Sequence, residues 1–371
     1  MDNALEQIKL MSSICDLHVL IELSPDSLKS TVVDFATLNT KNYLNPLQSI
    51  IAKEDLKRLE KYIDNVSSIS YAYYPSKSII SINNMFTLKS VLSFLKKNSF
   101  DVLHFDTISA RLFPILPFIA NKKIVATIHD PVPHFGEKTT KKNIINWLYS
   151  TVIDEYLFYS IYALNQFLAK RPSLYKKTAI LKLLPYTYIN HFKQAATKQE
   201  KYILYFGRIS AYKGVDLLVN VSDYILQQYP SIKIYIAGKP HGDYTLDLRG
   251  KKNILYINSY LSIKELACLI QHALFVVCPY KEATQSGVLM TALAMKKPVL
   301  ATSVGAFNEY IKPGVNGILV DSNVNGLQKG ITQMMTDDYY LQLAEKLENE
   351  SSEVERQHNY NKYKELYSSL L

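Results

Sequence analysis

The sequence predicts an α/β chain built on parallel sheets, and three observations carry that expectation. Short apolar runs of strand length recur, helical patterns fill most of the gaps between them, and the rhythm is found once in each half of the chain. Parallel strands need a crossover between them, and a sheet covered on both faces reads as near-continuous apolar runs. A chain of 371 residues with 48% hydrophobic residues has enough material for two such domains.

In the second half the runs are Tyr-Ile-Leu-Tyr-Phe at 202–206, Lys-Ile-Tyr-Ile-Ala at 233–237, Asn-Ile-Leu-Tyr-Ile at 253–257 and Leu-Phe-Val-Val-Cys at 274–278. After the first, Leu218, Val221, Ile225 and Tyr229 share one helical face that stops at Pro230. Ser262 and Glu265 give a capping-box signature ahead of Leu266, Leu269 and Ile270. The first half repeats the rhythm with residues 17–23, 101–105, 123–128 and 179–184. The aromatic stretch 147–164 reads as a core helix or, beside Lys141 and Lys142, as a surface for an acceptor or a membrane. Residues 188–201 are polar and aperiodic, as a linker is. The expected architecture is two Rossmann-like domains, 1–190 and 198–350, facing each other across a cleft, with a last helix at 351–371 that can cross back to the first. Ligands in such folds bind outside the carboxyl ends of the strands.

Charge narrows the partners. A net charge of +9, from 42 basic and 33 acidic residues, suits an anionic partner. Nucleic acid is disfavoured, because no Arg-rich helix or aromatic RNA-binding motif is found. No apolar run is long enough to span a bilayer, and the opening lacks the order of a signal peptide, so a cytoplasmic protein, free or on the inner face of the membrane, is expected. Cys15, Cys268 and Cys278 sit singly in apolar surroundings and are expected as buried free thiols.

Two loops carry the chemistry. Gly207-Arg208-Ile209-Ser210-Ala211-Tyr212-Lys213-Gly214 follows a strand, and a guanidinium fork and an ammonium on one short loop can close on a diphosphate. After the strand at 274–278 the polar turn Thr284-Gln285-Ser286-Gly287 opens an apolar helix at Val288. Unpaired amides and the positive end of the dipole make such a helix start a site for an anion or for sugar hydroxyls.

In order along the chain stand Phe206-Gly207-Arg208, Lys213-Gly214 with an apolar helix, Tyr235-Ile236-Ala237-Gly238, the turn from Pro279 to Glu282, Lys297-Pro298-Val299-Leu300-Ala301-Thr302 and Gly305-Ala306-Phe307-Asn308-Glu309. Over residues 200–322 this series resembles the carboxyl-terminal domain of glycosyltransferase family 4, the retaining, metal-independent, nucleotide-sugar-dependent enzymes of GT-B architecture. In the first half the likeness rests on Asp101-Val102-Leu103-His104 and on the segment from Thr127 through His129 and Asp130 to His134. The resemblance implies that Arg208 and Lys213 hold the donor diphosphate, that Glu282 meets the donor sugar, and that Gly207, Gln285, Ser286, Gly287 and Val288 bind sugar and phosphate. It places His129 near the donor sugar or acceptor. It also implies no cofactor beyond a UDP- or GDP-sugar substrate, and a glycan or lipid-linked acceptor in surface polysaccharide synthesis.

The sequence departs from that pattern twice. Where the family carries a second glutamate, seven residues before the proline of Lys297-Pro298-Val299, this chain has Thr291, which can hydrogen-bond a ribose but not grip it as a carboxylate does. Residues 1–14 read as a helix, with Ala4, Ile8 and Met11 on one face, where the family opens with a strand and a glycine-rich loop. Either 17–23 is the first strand behind an added helix, or the family's first strand is lacking; the likeness of 13–20 to the segment entering the family's second strand favours the latter. A non-catalytic paralogue that binds a nucleotide sugar is therefore the competing expectation. No Asp-x-Asp pair is present, and His129, Asp130, His134 and Glu137 match no metal-binding spacing.

Overall fold

The structure is a computed structural model, which describes residues 2–25, 44–76, 78, 81–133, 149–194 and 200–371. In the second half, β8 (Tyr202–Phe206), β9 (Lys233–Ala237), β10 (Ile254–Ile257), β11 (Val276–Cys278), β12 (Val299–Thr302) and β13 (Gly317–Val320) form one sheet in the order β10-β9-β8-β11-β12-β13. Every pairing in it is parallel. All five residues of β8 and all three of β11 are buried, as expected for central strands covered on both faces. Strands fan outward in opposite directions from the β8/β11 pair, so the loops after these two strands part at the sheet's switch point and leave a crevice.

The first half forms two smaller sheets. β1 (His18–Leu23), β2 (Leu44–Pro46) and β3 (Ser68–Tyr73) give the order β1-β3-β2, with β1 parallel and β2 antiparallel to β3. β4 (Val102–Phe105), β5 (Lys123–Thr127), β6 (Glu155–Phe158) and β7 (Thr178–Ile180) are parallel in that order. Ser109, beyond the end of β4, donates to Glu22 near the end of β1 at 2.5 Å, so both sheets point their carboxyl ends the same way.

Several expectations are corrected. Residues 147–164 do not form one helix. Glu155-Tyr156-Leu157-Phe158 is strand β6, because its bulky side chains bury on both faces of a sheet, and Ser160 then caps a separate helix, Ile161–Lys170, by accepting from Ala163 N. Trp147, Lys141 and Lys142 lie outside the described residues. The stretch expected as a linker begins as a 3₁₀ helix, Thr187–Phe192, whose Tyr188 and Ile189 are buried. The helical face running from Leu218 to Tyr229 is split at Val221 into helices Val215–Asn220 and Ser222–Gln228. Cys15 is exposed and Cys268 half-buried, so only Cys278 fits the expected buried thiol.

Helices Asp2–Met11 and Glu353–Leu370 pack together against the first half. Arg356 pairs with the buried Glu6 at 2.8 Å, Tyr363 donates to Gln7 at 3.0 Å, and Asn359 bonds the backbone of Lys182 through both side-chain atoms. The last helix thus belongs spatially to the first domain. No described helix is long and apolar enough to cross a membrane.

Candidate active site

The loop after β8 and the turn after β11 meet at the switch point, and glycines make the meeting possible. A Cβ on Gly207 would lie 2.9 Å from Val288 Cγ2, and one on Gly214 only 1.9 Å from the carbonyl oxygen of Pro279. Both residues have positive φ, 111° and 63°, which glycine adopts without the strain other residues incur. The loop backbone is therefore carried against the Pro279–Val288 turn, with Lys213 half-buried there and the Arg208 side chain exposed at its edge. Lys213 Nζ lies 3.8 Å from the centre of the Tyr280 ring and 4.9 Å from that of Tyr212. Lys281, on the same turn, is paired with Asp216 at 2.7 Å.

Ser286 starts the helix Gly287–Ala294 by accepting from Leu289 N at 3.2 Å. Helix geometry leaves the Gly287 and Val288 amides without intrahelical acceptors, at the positive end of the dipole and beside the Arg208–Lys213 loop. Glu282, half-buried on the turn, faces Tyr162 of the first domain; burial raises the Tyr162 hydroxyl's proton affinity and the Glu282 charge adds to it. Thr291 is buried, and its hydroxyl donates to Gly287 O at 2.7 Å, which leaves it only acceptor capacity toward a ligand.

From the other wall comes His129, beyond the end of β5. Its Nε2 lies 2.7 Å from the Asp106 carbonyl oxygen and 3.4 Å from Asp106 Oδ1, and its Nδ1 lies 2.7 Å from Gln285 Nε2 of the second domain. Burial opposes charge on this ring, but the hydrogen bond to Asp106, the Asp106 charge and the contact with Gln285 outweigh it and raise His129 above the ordinary imidazole value. His104, behind it on β4, bonds Thr127 and Tyr367, and burial lowers it to about 4, so it is neutral.

The walls are joined by further bonds. Thr284 donates to Asp130, Ser160 Oγ donates to Thr284 O at 2.9 Å, and the Glu309 carboxylate accepts from the amides of Ile161 and Tyr162, both at 2.8 Å. Lys213, Glu282, Gln285, Ser286, Gly287 and Val288 thus lie on two adjoining loops, with Arg208 exposed at their edge and His129 bonded to Gln285 from the other wall. Asp106 and the Thr284–Asp130 pair escaped the sequence, because no local pattern marks partners 23 and 154 residues apart. His134 and Glu137 lie outside the described residues, and among the described residues no group of three His, Cys, Asp or Glu side chains is arranged to hold a metal ion.

Residues 200–337 match the family model for glycosyl transferases group 1. Alpha-D-kanosaminyltransferase of Streptomyces kanamyceticus is 26% identical over 154 residues, covering 37% of this chain and 40% of the relative, so the match spans about two fifths of that protein's length. Sucrose-phosphate synthase from Thermosynechococcus elongatus superposes with a TM-score of 0.67 at 13% identity, over 98% of this chain and 92% of that one. HepE of Anabaena, solved with UDP and glucose, gives 0.65 at 16% identity over 95% and 100%. Residues 200–337 are thus similar to the group 1 glycosyltransferases, and the chain as a whole has the GT-B fold.

Proposed function

We propose that the protein is a retaining, metal-independent glycosyltransferase that moves a sugar from a nucleoside diphosphate sugar to a glycan or lipid-linked acceptor. The observation that carries this reading is the close packing of the Gly207–Gly214 loop, with Lys213 on Tyr280, against the start of the Gly287–Ala294 helix. Lys213 and a helix dipole, joined by Arg208 from the loop's exposed edge, would stabilise negative charge that grows on a departing diphosphate. Glu282 accepts from hydroxyls of the donor sugar. In a front-face transfer the leaving phosphate oxygen takes the acceptor proton while the cations hold the charge, which needs no nucleophilic carboxylate under the anomeric carbon.

The wall of the first domain supports an acceptor presented at a lipid surface. Residues 65–100 contain Lys77, Lys89, Lys96 and Lys97 and no acidic residue. The helix Ile82–Lys97 starts at the carboxyl ends of the strands, where the cleft opens, and its Ile82 and Met85 are 82% and 58% exposed. Lys89 lies one turn on from Met85 on the same helix, while Lys96 and the exposed Phe118 beneath it stand at the helix's far end. Apolar side chains flanked by lysines bind the interface of an anionic bilayer.

The test is calorimetric titration with UDP, GDP and their sugars, followed by assay for nucleoside diphosphate release without acceptor. Saturable binding and slow release support transfer. Absence of binding to every nucleotide sugar sinks the reading. Binding with no release at saturation supports the second reading, a non-catalytic nucleotide-sugar binder, which the occupied hydroxyl of Thr291 favours.

A further inference from the structure

His129 is held from both sides of the cleft, and one of its holders is only half used. The Asp106 carbonyl oxygen can only accept, so at 2.7 Å from it His129 Nε2 carries a proton. The Asp106 carboxylate stands 3.4 Å from the same nitrogen. On the other side Gln285 presents its amide at 2.7 Å to Nδ1, while its own Oε1 is buried without a hydrogen-bond partner. A half-turn of the Gln285 amide exchanges its nitrogen and oxygen. Oε1 then accepts from a protonated Nδ1, while the amide nitrogen takes the buried place where the oxygen had no partner.

We propose that Asp106 is a positioning residue: it fixes His129 with the proton on Nε2 and, with the Gln285 carbonyl as second acceptor, keeps the ring an imidazolium opposite Arg208 and Lys213. The other groups around the ring favour this state or leave it alone. Asp130, next to His129, is engaged by Thr284. His104 on β4 is neutral and bonded to Thr127 and Tyr367. Tyr159 lies with its ring centre 5.6 Å from that of His129, and burial keeps the hydroxyls of Tyr363 and Tyr367 on the last helix protonated. The chain's amino-terminal charge also acts on Asp106 and favours its carboxylate, and the ring adds a cation across the cleft from Lys213.

The consequence rests on the transfer reading; the test does not. In the donor-free protein the His129 ring is followed by nuclear magnetic resonance through the neutral range and assigned by its loss in His129→Gln. Asp106→Asn keeps the size of the side chain and leaves the backbone carbonyl in place, so the fold is retained while the charge is removed. The expected midpoint for His129 falls by about one pH unit in Asp106→Asn, since a half-exposed carboxylate acts at the low end of its usual range. Gln285→Leu gives a smaller fall. If transfer is then measured, the alkaline limb of kcat/KM moves down by the same interval in Asp106→Asn, and its acid limb does not. A midpoint unchanged by Asp106→Asn, or a ring neutral throughout in the wild type, overturns the proposal even where transfer is normal. A shifted midpoint in a protein without transfer leaves it standing and removes only the catalytic consequence.

Discussion

Lys213 lies on the face of Tyr280, which seats its ammonium beside the helix start before any anion arrives. Fixed charge is worth more to a departing anion than charge that must be recruited. Arg208→Ala and Lys213→Ala are each expected to lower turnover by about two orders of magnitude, roughly 3 kcal/mol of transition-state stabilisation, with the melting temperature unchanged. Near-normal turnover in both would remove the site. Buried His104 makes a second prediction. Its folded value of about 4 lies below the ordinary 6.5, so the unfolded chain binds the extra proton first as pH falls. Its contribution is fully present above 6.5 and is lost between there and about 4. Replacing it with Gln should flatten the slope of denaturation free energy in that window; an unchanged slope would show that the ring ionises inside the fold. The sequence reveals the Arg208–Lys213 loop and the Glu282–Val288 turn because each is a contiguous string with its own spacing. It hides the roles of Asp106 and Gln285, because the partners of His129 lie 23 residues before it and 156 after it, and only the closed cleft unites them.

The central strands β8 and β11 are legible because they are buried on both faces and therefore apolar throughout. The same property misleads at residues 147–164, where a run of aromatics fits a buried strand and a buried helix equally well, and only Ser160 marks the change from one to the other. β3 is obscured by its serines and tyrosines, and β2 by having only three residues. Two predictions belong to elements. Gly214→Ala forces a Cβ against the Pro279 carbonyl at positive φ, and should destabilise the domain by about 1 to 3 kcal/mol and weaken nucleotide binding together. Loss of binding with unchanged stability would show that the loop relocates freely. For the helix Ile82–Lys97, the double change Ile82→Ser and Met85→Ser should abolish sedimentation with phosphatidylglycerol vesicles at equal helicity, whereas phosphatidylcholine vesicles should bind neither protein. Equal binding of both proteins to the anionic vesicles would exclude this face.

At the scale of the whole molecule, the two domains are joined both through the cleft and by the chain itself. The helix Glu353–Leu370 follows the entire second sheet in sequence yet seals the first domain through Arg356, Asn359 and Tyr363. That placement imposes an order of events during synthesis. The first domain emerges early, but its closing helix is made only after roughly 160 further residues, a wait on the order of ten to thirty seconds at usual translation rates. Until then Glu6 lacks its Arg356 partner and the faces of Met11 and His104 that meet Tyr367 stand open. The second domain, whose sheet is complete once β13 has been made, is therefore positioned to finish folding before the first and to serve as its template, reversing the order in which the two are translated.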